Sequence, residues 1–153
     1  MVKIFFQKIF WLTALATLAL DQVLKNLVAW LSPKISLFFL SIHLVRNTGA
    51  GFGLLKDHTP WLAIISLLVA LAIIYYYSQL PPEKLPQFLW GLFLGGVLGN
   101  LIDRILRGYV IDFIDVGFWP AFNVADAAIT VAVIGLIVYE WKNRAERTGQ
   151  PLM

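Results

Sequence analysis

The chain carries four long apolar stretches, at 9–30, 61–80, 85–106 and 122–141. Each has the length of a membrane span, about 20 residues. In lipid the backbone polar groups have no water to bond, so each stretch is expected to close its own hydrogen bonds as a helix. Composition agrees. The sequence is 59% apolar and only 14% charged, against about 25% charged in soluble domains, and its mean hydropathy is +0.77. The expected fold class is an all-α membrane protein of four transmembrane helices with a small extracytoplasmic β-cradle, forming a single domain over residues 1–153. The first stretch follows Lys3 and Lys8 and contains Ala14-Leu15-Ala16, which imitates a cleavable leader. Its helical pattern runs on through Val23, Leu24, Leu27, Val28 and Trp30. That extends it to about 22 residues, so it reads as a span.

The connecting segments carry their own signals. Residues 32–59 contain Pro33, two β-prone runs at 35–40 and 42–45, and the string Asn47-Thr48-Gly49-Ala50-Gly51-Phe52-Gly53. The runs predict a small twisted hairpin or cradle lying on the membrane. Three glycines in five residues allow positive φ and close approach of a backbone to a ligand. The string lacks the Lys and Ser/Thr of a phosphate loop, and by itself it is equally a turn-rich connector. Pro60 opens the second stretch, which is uncharged and reads as a lipid-facing or packing helix with an aromatic belt at Tyr75-Tyr76-Tyr77. Residues 81–84 form a turn. In the third stretch Gly91, Gly95, Gly96 and Gly99 follow the small-xxx-small pattern that lets helices approach closely in lipid. Residues 107–121 are a further non-spanning piece, and 142–147 are a polar tail. His43 and His58 show no metal-ligand spacing and read as loop residues near the headgroups.

The polar residues are unevenly placed. Residues 95–126 hold four of the six aspartates, Asp103, Asp112, Asp115 and Asp126, together with Asn100, Arg104 and Asn123. Four spans put both termini on one side. On the opposite side then fall Asp21 and Lys25, the loop 47–53, Asn100, Asp103 and Arg104, and Asn123 and Asp126. Four separate pieces of chain thus send their polar groups to one face. Ionisable groups at membrane depth are expensive unless paired or wet, which suggests a functional site. Asp21 and Lys25, at i and i+4, can pair as a plain interfacial ion pair. Asp103 and Arg104 are expected to pair and to fix the site. Charge does not orient the chain by itself. Lys3, Lys8, Lys84, Lys142, Arg144 and Arg147 on the terminal side balance Lys25, Lys34, Arg46, Lys56, Arg104 and Arg107 on the other. Setting aside the cations tied to the polar cluster, Lys25, Arg46 and Arg104, leaves a bias towards cytoplasmic termini.

The chemistry open to this cluster is narrow. There is no cysteine, hence no thiolate nucleophile, disulfide or Cys-based metal site. The net charge of +3 is spread along the chain without a basic run, so nucleic acid is not an expected partner. The remaining candidates are carboxylates. Two sharing a site split their titration, one charged and one protonated. Asp126, near a helix N-terminus, is favoured as the anion that activates water, and Asp112 then carries the proton. Asn100 and Asn123 are neutral donors suited to orienting carboxylates or a peptide backbone. An ion or proton pathway, or a packing cluster without chemistry, would also use buried Asp, Arg and Asn. A small transporter or a structural membrane subunit therefore stays open on spacing alone.

Five pieces in order, Asp21-Gln22-x-x-Lys25, 47–53, Gly95-Gly96-x-x-Gly99-Asn100-x-x-Asp103-Arg104, Val110-Ile111-Asp112-Phe113 and Phe122-Asn123-x-Ala125-Asp126, run from the first span to the fourth. Together they resemble the bacterial lipoprotein signal peptidases, the type II signal peptidase family of membrane aspartic proteases. The resemblance implies a catalytic dyad of Asp112 and Asp126. It implies substrate-binding or supporting roles for Asn47, Gly49, Asn100, Arg104 and Asn123, and structural or substrate-proximal roles for Asp21, Lys25 and Asp103. The implied substrates are diacylglyceryl-modified prolipoproteins, cut just before the lipidated lipobox cysteine. Membrane lipid and globomycin-type inhibitors are implied as further partners, with no cofactor or metal. A monomer is expected in the bacterial inner membrane, with both termini cytoplasmic and the active site at the outer face. Gly51 departs from the family pattern, where alanine is more usual, and this puts the stiffness of the loop in question.

Overall fold

The computed structural model of the chain describes residues 2–49 and 56–148. Helix α1 (Val2–Leu31) leads through Ser32 and Pro33 into strand β1 (Lys34–Leu37) and strand β2 (Leu40–Asn47). Helix α2 (Thr59–Tyr76) ends in a 3-10 turn (Tyr77–Gln79), and helix α3 (Lys84–Arg107), strand β3 (Val110–Asp115) and helix α4 (Val124–Thr148) follow. All four helices are long and apolar enough to cross a membrane, over Lys8–Leu31, Thr59–Gln79, Lys84–Arg107 and Val124–Arg144. Their outer surfaces stay apolar: Leu12, Leu15, Val23, Leu68, Val131 and Ile137 are exposed, as suits side chains facing lipid.

Helix α3 is the axle of the bundle and packs against each of the other three helices. Its glycine stripe explains how. A Cβ on Gly95 would come within 2.6 Å of the Ala14 carbonyl oxygen of α1. A Cβ on Gly96 would come equally close, 2.6 Å, to the Ala125 carbonyl oxygen of α4. Adjacent glycines on α3 therefore receive two different helices at backbone contact. Away from the sheet, Phe10, Ala14, Ala70, Ile73, Leu94 and Val97 form an apolar core. The aromatic belt expected at residues 75–77 is split. Tyr75 and Tyr76 are exposed, whereas Tyr77 turns inward against Phe10, with ring centroids 4.8 Å apart.

The three strands form one antiparallel sheet, in the order β1-β2-β3, at the end of the bundle where α1 and α3 finish and α4 begins. The hairpin β1–β2 pairs Lys34 with His43 and Leu37 with Leu40, so the chain reverses at Phe38 and Phe39, inside the run expected at 35–40. Phe38 takes a positive φ of 52° and is exposed, as is Phe39. No glycine or Asn-Gly pair marks that reversal, which hid it from sequence. His43 is correspondingly a strand residue of β2, not a loop residue. Strand β3 arises within 107–121, a piece read only as non-spanning. Gly108, at φ 75°, caps α3 and releases the chain into it. Val28, Ile111 and Phe113 form a second buried cluster that fixes the sheet to α1.

Candidate active site

The site forms where the start of α4 meets β3. Phe122 is bound to β3 through Ile114 N and Phe113 N, both donating to the Phe122 carbonyl, and Phe122 N donates to the Ile114 carbonyl. This bridge holds 122 out of the helix, so α4 begins at Val124 and Asn123 is its N-cap rather than part of its first turn. Asn123 Oδ1 accepts from Asp126 N at 2.9 Å, and Asp126 Oδ2 accepts from Asn123 N at 3.2 Å. The two residues thus cap each other reciprocally, which satisfies two otherwise unpaired donors. It also places the Asp126 carboxylate in the first turn of α4, where the helix dipole favours negative charge.

Asp112 lies within β3, opposite Val45 of β2, and is 1% exposed. Its Oδ1 accepts from Asn123 Nδ2 at 2.6 Å and its Oδ2 from Asn47 Nδ2 at 2.9 Å. Both amides are set by backbone donors. Asn47 Oδ1 accepts from Gly49 N, as Asn123 Oδ1 does from Asp126 N, so each NH2 group must turn towards the carboxyl. Burial pushes the Asp112 carboxyl from 3.8 up to about 7, and the charge on Asp126 adds to the rise. The hydrogen bonds from Asn47 and Asn123 and the charge of Lys25 oppose it.

Asp21 and Lys25 do pair, at 2.8 Å, and both are fully buried between helices. Lys25 Nζ also reaches Asp103 Oδ2 at 3.1 Å and donates to Asn100 Oδ1 at 2.9 Å. Asn100 Nδ2 donates to Asp126 Oδ1 at 2.8 Å. Asp21 Oδ1 accepts from Ala125 N at the start of α4, at 2.9 Å. The expected Asp103–Arg104 pair does not form. Asp103 meets Lys25 and Arg107 and accepts from Ile111 N at 3.0 Å, tying α3 to β3. Adjacent helical residues point about 100° apart, so Asp103 turns to α1 while Arg104 turns to α2 and the loop. Arg104 donates to Ser66 Oγ at 3.3 Å and to the Gly49 carbonyl at 3.5 Å, and its buried Nε finds no partner among the described residues.

All ten residues singled out from sequence therefore lie in one connected region, where α1, α3 and α4 meet the sheet. Several of their partners were not singled out. Gln22 donates to the Gly99 carbonyl and to Asp103, Arg107 supplies the second cation at Asp103, and Ser66 of α2, expected as an uncharged lipid-facing or packing helix, receives Arg104. Gln22 stands in the motif that contains Asp21 and Lys25, which was its one sequence signal. Gly51, Phe52 and Gly53 lie outside the described residues. Beside Asp126 opens an apolar cavity of about 320 Å³, lined by Trp119, Phe122, Ala127, Thr130 and Val131. The arrangement offers two carboxyl groups fed by amide donors, the Arg104 cation nearby, and an apolar recess next to one carboxylate.

The chain is similar to known proteins in sequence and in fold. The family model described as signal peptidase (SPase) II matches residues 13–142. The lipoprotein signal peptidase of Moorella thermoacetica is 43% identical over 139 residues, covering 87% of this chain and 91% of that protein. That of Francisella tularensis subsp. novicida is 47% identical over 116 residues, covering 69% of this chain and 71% of its own. A bacterial membrane enzyme solved by the in meso method at 2.3 Å resolution superposes with a TM-score of 0.83 at 30% identity, over 93% of both chains. A match across nearly the whole chain, in sequence and in backbone, places this protein in the signal peptidase II family.

Proposed function

We propose that Asp112 and Asp126 are the dyad with which this multi-pass membrane peptidase removes the signal peptide of prolipoproteins. The observation that carries the assignment is the asymmetry between the two carboxyls. Asp112 is buried and drawn up to about 7, which suits the proton-bearing partner. Asp126 sits half-buried at a helix N-terminus and accepts from Asn100 and from Asn123 N, which suits the anion. The anion takes a proton from water as the water oxygen attacks the scissile carbonyl carbon, while Asp112 gives its proton to the carbonyl oxygen. In the collapse of the resulting gem-diol, Asp126 passes its proton to the leaving nitrogen as the C–N bond breaks, and Asp112 recovers one from a diol hydroxyl. Both carboxyls return to their starting states. Arg104, whose Nε–H has no partner among the described residues, would hold a backbone carbonyl of the extended peptide. The apolar recess beside Asp126 takes a side chain or acyl group at the cleavage point.

As the family resemblance implies, the substrate is the diacylglyceryl-modified form, cut just before the lipidated cysteine, and globomycin-type peptides compete for the same site. The enzyme works as a monomer. Purified protein in detergent should cleave a diacylglyceryl prolipoprotein and leave its unlipidated precursor intact. Equal cleavage of both would remove the lipid from the recognition. The pH dependence tests the proton assignment. A donor titrating near 7 loses its proton as pH rises, so the rate should fall on the alkaline side through about 7. The Asn47 hydrogen bond favours the charged form. Asn47→Ala should therefore move that alkaline limb to higher pH. A limb that stays in place or moves down removes Asp112 from the donor role.

The proposed orientation has both termini in the cytoplasm and the sheet, with the dyad, at the outer face. The native sequence contains no cysteine, so single cysteines can be read without background. Cysteine at Ser41 or Gly117, beside the sheet, should react with an impermeant thiol reagent added to intact cells. Cysteine at Glu83 or Glu146 should react only after the membrane is opened. The reverse pattern would place the dyad on the cytoplasmic side.

A further inference from the structure

We infer that Lys25 is a positioning residue whose task is to aim the amide of Asn100 at Asp126, an inference that rests on the peptidase reading above. An asparagine amide can sit either way round with almost the same shape, and only its partners decide. Asn47 and Asn123 are decided by backbone N–H groups on their oxygens. For Asn100 no backbone donor among the described residues fills that role. Its Oδ1 accepts from Lys25 Nζ at 2.9 Å, and its Nδ2 is thereby left facing Asp126 Oδ1 at 2.8 Å. Asn123 Nδ2 also approaches Asn100 Oδ1, at 3.2 Å, but its two hydrogens are divided among Asp112 Oδ1 at 2.6 Å, the Ile111 carbonyl at 3.3 Å and Asn100. A flipped Asn100 would set NH2 against an ammonium and oxygen against a carboxylate, two repulsive contacts in a buried setting.

The bonding of Lys25 supports the assignment. An ammonium has three hydrogens. Two go to Asp21 and Asp103, a pairing that would suffice for a buried ion cluster. The third leaves the cluster for Asn100. Lys25 and Asp126 thus communicate through one amide, from α1 through α3 to α4, without touching.

The test measures kcat and KM for a diacylglyceryl prolipoprotein with Lys25→Gln, Asn100→Ala and the double variant, normalised to folded enzyme. Loss of one hydrogen bond to a charged group corresponds to about a 30-fold fall in rate. Asn100→Ala should lose about that factor in kcat with KM within about twofold of wild type, because the amide contacts Asp126 and not the substrate. Lys25→Gln should show the same split, and the double variant should be no slower than Asn100→Ala. Multiplying losses in the double variant would overturn the inference, since Lys25 would then act by a separate route. Should Lys25→Gln fail to fold, Asn100→Ala with Lys25 in place still decides: wild-type kcat there means the aimed amide contributes nothing. Failure of the wild-type protein to cleave the substrate would instead defeat the peptidase reading.

Discussion

Replacing Asp112 or Asp126 with Asn is expected to lower turnover by about 10⁴-fold, the upper range for loss of a general acid or base. The two variants fail for different reasons. Asp112→Asn removes the proton that burial keeps on the carboxyl near neutral pH, so the carbonyl oxygen receives none. Asp126→Asn removes the base that takes a proton from water. It also forces an amide NH2 against one of two donors, Asn100 Nδ2 or Asn123 N. Because the pair shares its titration, neither carboxyl can replace the other. Helix content in detergent should stay at the wild-type level, since the main core and the glycine stripe of α3 are untouched. The measurement is conversion of a diacylglyceryl prolipoprotein followed by gel mobility. A variant that keeps a tenth of wild-type turnover would remove that carboxyl from the chemistry.

The largest stability loss is expected at Asp103. It is fully buried, faces Lys25 and Arg107, and accepts from Ile111 N. With Asp21, these groups amount to two negative and two positive charges in one cluster. Asp103→Asn leaves the cations in excess and weakens the tie between α3 and β3. Removing one member of a buried ion set costs about 3–5 kcal/mol, because the remaining charge stays desolvated. Turnover of the folded fraction should fall far less than in the dyad variants, since Asp103 bonds Lys25, Arg107, Gln22 and Ile111 N and neither carboxyl of the dyad. Unfolding in detergent reads the first quantity and the prolipoprotein assay the second. A loss below about 1 kcal/mol would mean the cluster is not buried as the fold requires.

Some of this architecture was legible in the sequence because it is set by local properties. Span length, apolar continuity and chain direction are properties of single segments, and they sufficed for four helices and for gathering the polar residues at one end. The small-xxx-small spacing of α3 likewise announced a closely packed helix. The reversal at Phe38-Phe39 was not legible, because a phenylalanine at positive φ carries no turn signature. Strand β3 was hidden because its partner, β2, is distant in sequence.

The partners of the polar residues were decided by tertiary structure alone. Asp103 and Arg104 are neighbours in the chain and strangers in space, because one turns to α1 and the other to α2. Ser66 matters only because Arg104 reaches it. Asn123 caps α4 because a bridge to β3 keeps Phe122 out of the helix. The physical reason is common to all three. Helical periodicity says which residues share a face, but a buried donor or acceptor must find its partner on whichever element that face meets, and only the packed chain determines that meeting.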